Sequence, residues 1–212
     1  MSQTFDLLHD NGKPLCFVST GSLSSSIHAD LSCSRPSKLA RFEEVKEFDH
    51  FDRYQYICLT SDIVLKKQVV NFLEDRGCSF FSVIHKVNHL HNKIGHGTFV
   101  NGYNQGMSGD RSRIGNHCVI ATHSLLSHDC IIDDFCHVSS FAFLARCHLE
   151  QGCCLGIRVS VFSDLDSDKI AKIPEFTNLI SGSMITTPIL QAGTYFSNRR
   201  ISHETSLTKR IL

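Results

Sequence analysis

The chain has 212 residues, 42% of them hydrophobic and none of them Trp, and its 21 Lys and Arg balance 21 Asp and Glu to a formal net charge of zero. A chain of this length buries a real core, and the even charge excludes the basic footprint of a nucleic-acid or acidic-membrane binder. No window approaches the roughly 18 apolar residues of a membrane span, and the start "MSQTFDLLHDNGKPLCFVST" has no charged segment followed by a long apolar run, so a cytoplasmic protein without membrane insertion is expected. Ten cysteines with no CxxC spacing and no export signal read as reduced, mostly buried thiols.

Residues 1–90 read as small α/β units. "KPLCFVST", "YQYICLTS" and "SFFSVIH" are short apolar runs rich in β-formers. Between the last two, "DIVLKKQVVNFLEDRG" places Ile63, Leu65, Val69, Val70, Phe72 and Leu73 on one helical face, with Asp62 to cap the start and Gly77 to close the end. Strand, helix, strand is the unit of an open parallel sheet.

From Ile94 the rhythm changes to a period of six. Aliphatic residues fall at Ile94, Val100, Ile114, Ile120, Leu126, Ile132, Val138 and Leu144, then at Leu149, Leu155 and Val161. Small residues follow four places on at Thr98, Cys118, Ser124, Cys130, Cys136, Ala142 and Cys153. Neither an amphipathic helix nor a two-residue alternation gives this pattern; a hexapeptide-repeat parallel β-helix does, with the aliphatic residue inside and the small one at the corner. Val100 to Ile114 is two residues too long and is read as a loop around "GYNQGMSGD". Leu144 to Leu149 is one residue short, "FSDLDSDKIAK" is an excursion, and the tail resumes with Ile173, Thr177, Leu179 and Ser183. The pattern assigns Cys118, Cys130, Cys136 and Cys153 to packing rather than to redox or metal chemistry.

"LLSHDCIIDDFCHVSS" (125–140) is the segment densest in reactive side chains. Neither His128 nor His137 occupies an inward aliphatic slot, so both are expected to point outward. A neutral imidazole beside Asp129 suits a general base near pH 7, since the carboxylate fixes the tautomer and stabilises the imidazolium. Surface polarity on a solenoid face is the competing reading.

A solenoid behind a small α/β domain, joined through "SVIHK" and carrying "SHDCIIDDFCHVS", resembles the bacterial left-handed β-helix acyltransferases that acetylate nucleotide-linked amino sugars or sialic acids in polysaccharide biosynthesis. The resemblance runs from about Leu7 to "AGTYFSNRRI". It implies a mixed fold: a truncated Rossmann-like α/β acceptor-binding domain over 1–90, then a left-handed parallel β-helix over 91–212 that binds acetyl-CoA and carries the catalysis. By the same resemblance His128 is the catalytic base, Asp129 orients it, and His137 contacts acetyl-CoA near the thioester. The backbone amide of Arg146 occupies the oxyanion position, and Gly156 and Gly182 lie where the coenzyme passes close to backbone. The family also implies a homotrimer with active sites between subunits, a small-molecule sugar as acceptor and no metal. Its opening strand and glycine-rich turn are expected to be absent from this chain, and "STGSLSSS" is weak ground for phosphate binding.

Two other readings remain open. His123 and His128 are five apart, a spacing that resembles β-helix carbonic anhydrases, but the third zinc ligand would fall near Val87, where His85, His89 and His91 precede the solenoid. A non-catalytic solenoid serving as assembly partner or regulator is the other.

Overall fold

The computed structural model describes residues 5–19, 27–28, 35–86, 93–101, 111–163 and 170–201. The N-terminal part holds β1 (Phe5–Leu8), β2 (Leu15–Val18), β3 (Ser37–Ala40), α1 (Phe42–Lys46), β4 (Gln55–Cys58), α2 (Ile63–Glu74), β5 (Ser79–Phe80) and β6 (Ser82–His85). Strands β2 to β5 make one sheet in the order β3-β2-β4-β5, with every pairing parallel. The strand β2 is fully buried because its four residues, LCFV, are apolar on both faces. Helix α2 forms as its capping pattern predicts: Asp62 Oδ1 accepts from the Leu65 amide at 3.0 Å, and Gly77, at φ +69°, returns its amide to the Glu74 carbonyl oxygen at 2.8 Å.

The first strand of the parallel sheet is therefore present. β2 lies between the second and third strands in chain order, so the direction of winding reverses at its carboxyl end, which is where open α/β sheets receive ligands. "STGSLSSS" begins at that end with Ser19; its remaining residues lie outside the described ones. The expectation of a missing opening strand came from placing the chain's start in the following helix, whereas Phe5–Leu8 is a strand that leads into β2.

The run "SFFSVIH" is two strands rather than one. β5 completes the parallel sheet, and β6 pairs antiparallel with β1 and parallel with Phe99–Val100. Phe81 is the pivot. Its amide donates to the Tyr56 carbonyl oxygen at 3.0 Å, and its ring is buried edge-on to Phe17 in a cluster that also holds Val83, Phe99 and Val119. One apolar core thus serves both parts of the chain.

From Ile94 the backbone winds into a parallel β-helix with three faces. One is the nine-stranded sheet, which begins with β1 and β6 and continues through Phe99–Val100, Val119–Ile120, His137–Val138, Cys154–Leu155, Asn178–Leu179 and Thr194–Phe196. The second stacks Leu125–Leu126, Phe143–Ala145, Ser160–Phe162 and Met184–Ile185. The third stacks Arg113–Ile114, Cys130–Ile132, Cys147–Leu149 and Ala171–Ile173. The aliphatic residues of the six-residue period stack directly: Ile120 on Val138 on Leu155 on Leu179, and Leu126 on Leu144 on Val161 on Ile185. All of these are buried.

The one-residue shortening falls at Arg146, which turns the corner between Ala145 and Cys147 alone at φ +45°. The loop "GYNQGMSGD" and residues 164–169 lie outside the described residues. "AGTYFSNRRI" forms a hairpin, Thr194–Phe196 antiparallel to Arg199–Ile201.

The small corner residues are buried, and the thiols among them reach the neighbouring coil. Cys118 Sγ donates to the Asp133 carbonyl oxygen, Cys130 to that of Leu144, Cys136 to that of Glu150 and Cys153 to that of Pro174, all at 3.1–3.2 Å. All cysteines among the described residues are free, as expected.

Leu144, fully buried at the centre of the stack, is expected to be among the costliest truncations: Leu144→Ala should lower unfolding free energy by about 2–5 kcal/mol, read as a shift in the urea midpoint.

Candidate active site

The corner between the second and third faces presents His128 and Asp129 to solvent. Asp129 sits at φ +54°, a left-handed turn conformation that Asp tolerates better than most side chains, and the turn brings its carboxylate back to its neighbour. His128 Nδ1 lies 3.1 Å from Asp129 Oδ2, and Arg111 Nε lies 3.6 Å from Oδ1. The hydrogen bond from His128 holds the Asp129 carboxyl below the usual carboxylate range against partial desolvation, with help from the charges of Arg111 and Arg146. An ionised carboxylate only accepts, so the hydrogen bond places the proton on Nδ1 and leaves the Nε2 lone pair free for chemistry. The His128 side chain is 43% exposed, which leaves it open to a substrate.

Arg146 occupies a corner one coil on. Its amide, expected to face an oxyanion, donates to the His128 carbonyl oxygen at 2.9 Å. That N–H is committed to the inter-coil ladder and is not free to receive a developing negative charge; what Arg146 gives the site is the guanidinium charge felt by Asp129.

His137 faces outward from the coil, as expected, but is half-buried. It lies on the nine-stranded sheet, close enough to Lys66 of α2 to feel its charge. Its Nδ1 is shielded without a hydrogen-bond partner, and burial, with a smaller contribution from Lys66, pushes its pKa down to about 4. His128 and His137 therefore occupy different faces of the solenoid.

The two glycines differ. A Cβ on Gly156 would come within 2.6 Å of the Ser181 amide nitrogen, so this glycine is required by coil stacking. Gly182 turns at φ +78° with open space above it, room that a ligand could use. For the zinc reading, no group of three ligands among the described residues includes His123 or His128. His123 bonds Thr122 at 3.0 Å and stacks on Phe141, His85 ends β6, and His89 and His91 lie outside the described residues.

Two features escaped the sequence reading. On the third face His148 Nε2 meets Asp133 Oδ2 at 2.7 Å and Arg113 meets the same residue at 3.3 Å, a pairing visible only once the coil register is known. Lys66 is fully buried on the apolar face of α2, three residues after Ile63 and three before Val69. Its ammonium donates to the His117 carbonyl oxygen at 3.3 Å, and burial lowers its pKa. A lysine inside an apolar helical stripe is the signal that could have found it.

Comparison with solved structures gives the fold a context. WeeI from Acinetobacter baumannii AYE matches 89% of this chain and 99% of its own at 15% identity, with a TM-score of 0.71. The acetyltransferase domain of PglB from Neisseria gonorrhoeae FA1090 matches 86% and 95% at 14% identity, TM-score 0.69. The chain has the fold of these two structures. PerB from Caulobacter crescentus, solved with CoA and GDP-perosamine, matches 89% of this chain and 95% of its own at 11% identity, TM-score 0.54. No protein-family model and no curated protein matches the chain.

The half-buried His137, its Nδ1 shielded, has a consequence for stability. Its folded pKa of about 4 lies below the unfolded value of 6.5, so below pH 6.5 the unfolded chain takes up a proton that the folded protein refuses. Stability should hold above that pH and fall as the pH drops from 6.5 towards 4. His117, whose burial pushes its pKa down to about 3, acts in the same sense; urea midpoints across this window should show the slope, and His137→Gln should reduce it without removing it.

Proposed function

We propose that the protein is an acetyl-CoA-dependent acyltransferase that acetylates an amino sugar, in nucleotide-linked form, or a sialic acid. The observation that carries this reading is the His128–Asp129 pair: an exposed imidazole whose Nδ1 is tied to an ionised carboxylate, on the corner of a fold shared with sugar acetyltransferases. The solved neighbours support the substrate class, since PerB is seen with CoA and GDP-perosamine.

The reaction needs one base. The acceptor amine, or hydroxyl, attacks the thioester carbonyl and passes its proton to His128 Nε2; the C–S bond breaks, and the departing thiolate takes the proton back from the imidazolium as the amide or ester forms. Asp129 stabilises the imidazolium during transfer. With the Arg146 amide occupied, the oxyanion donor is a different group. For the acceptor, the carboxyl end of β2 and the serine-rich segment after it make a truncated Rossmann-like unit over 1–90 the binding region, with 91–212 holding the coenzyme. The paired His128 and Asp129 favour the enzyme over a non-catalytic solenoid.

The second face supports a homotrimer. Leu125 and Met184 are exposed on its strands, and Phe141 and Ile157 project from the adjacent corners. A neighbouring subunit on this apolar surface would border His128, three residues after Leu125, and complete the cleft.

Release of CoA thiol should depend on one acceptor from a panel of amino-sugar nucleotides, free amino sugars and sialic acids, and should fall by roughly a hundredfold or more in His128→Ala. Absence of both coenzyme binding and thiol release would defeat the transferase reading. Separately, Met184→Glu should shift the sedimentation coefficient to that of a monomer and abolish turnover while leaving the circular dichroism spectrum intact.

A further inference from the structure

Three ligating side chains converge where the end of α2 meets the first coils. Glu74 is the last residue of α2, and His96 and His117 lie in the corners of two successive coils, joined by the His117 amide donating to the His96 carbonyl oxygen at 2.9 Å. Ile94 pairs with Ile114, so Gly97 and His117 take equivalent corner positions. The His117 ring lies over Gly97, where a Cβ would collide with its Nδ1. The ring is 2% exposed, and neither of its nitrogens has a hydrogen-bond partner. Its Nε2 points instead at Glu74 Oε1, 3.8 Å away, too long for a hydrogen bond.

Buried ring nitrogens ordinarily find partners, so two orphans on one side chain call for an explanation. One ligand atom each from Glu74, His96 and His117 lie within 4.8 Å of one another. A tetrahedral zinc ion with bonds of about 2.0–2.1 Å holds its ligands roughly 3.3 Å apart. The remaining gap is small, and Glu74, half exposed, is free to close it.

We infer that Glu74, His96 and His117 form a binding site for a zinc-class divalent cation that ties α2 to the first coils of the solenoid. Two imidazoles and a carboxylate are a donor set suited to such an ion. The rings are held in place from the sides: Phe80 meets His117 edge-on at 4.7 Å, Phe135 stacks on His117 at 5.1 Å, and Phe80 stacks on His96 at 6.0 Å. Desolvation favours the neutral imidazole, which is the form that ligates. The site uses neither His128 nor Asp129, so it stands or falls apart from the transferase reading.

The test uses the full chain, stripped with chelator and titrated with Co²⁺ as a spectroscopic probe and Zn²⁺ as competitor. Expected are saturable Co²⁺ absorption at about one equivalent per chain without a thiolate charge-transfer band, displacement by Zn²⁺, and a Zn²⁺-dependent rise in Tm. Glu74→Gln and His96→Ala, which spare the buried His117, should each weaken binding by about tenfold or more while thiol release by the transferase assay, and the folded spectrum, persist. Absence of stoichiometric Co²⁺ binding, binding equally tight in both variants, or a thiolate band placing the ion on cysteines would each overturn the site.

Discussion

Coil-to-coil stacking sets the terms for everything else in this molecule. Amides in one coil donate to carbonyl oxygens in the neighbouring one, as Gly115 does to Ile132, Leu125 to Ala142 and Val119 to Cys136 at 2.7–2.9 Å, so strands stay in register only if each corner turns the chain onto the next face within a few residues. That demands a left-handed residue at the corner, and the chain supplies side chains there where glycine would be cheaper. His117, His123, Asp129, Phe135, Phe141, Arg146, Arg158 and Phe176 all lie at φ between +45° and +62°, at a cost of roughly 1–2 kcal/mol apiece. The strained positions are also the ones that project side chains away from the solenoid, and both chemically interesting clusters, around Asp129 and around His117, are built from them.

The second organising fact is that only one face of the solenoid is covered by the rest of the chain. Helix α2 and the aromatic residues around it rest against the solenoid and bring Lys66, His117 and Phe135 into a dry seam, with His137 half-buried beside it. The opposite faces keep their exposed apolar and charged side chains. Two histidines nine residues apart, both expected from sequence to point outward, thus meet different environments: His128 is exposed and paired with Asp129, whereas His137 is half-buried with its Nδ1 shielded and without a partner.

What could be read from sequence follows from the range of the interactions involved. The six-residue rhythm is local, repeated and tied to burial, so the inward positions from Ile94 to Val161 and the packing role of the corner cysteines were legible. So was α2, whose caps lie within its own segment. The division of "SFFSVIH" at Phe81 was not, because nothing within these seven residues records that a ring wedged against Phe17 sends the chain to a second sheet. Nor was the place of β2 as the first strand of the parallel sheet, which depends on strand order rather than composition. The committed amide of Arg146 and the seam around His137 needed the register between coils and the docking of α2, both contacts between residues far apart in sequence. The His128–Asp129 pair, adjacent in sequence, was visible at once.

The ends of the nine-stranded sheet carry one more implication. A parallel solenoid is in principle endless: the edge of its last coil offers the same row of amides and carbonyls that received the coil before it, and a second molecule could continue the stack. Here the sheet closes at both extremes with strands of the opposite sense, Phe5–Leu8 at one end and Arg199–Ile201 at the other. Neither presents the parallel template of the interior, and the terminal strand bears Arg199 and Arg200, both exposed. On this face the antiparallel ends act as stoppers: they withhold the parallel template on which a second molecule could continue the stack.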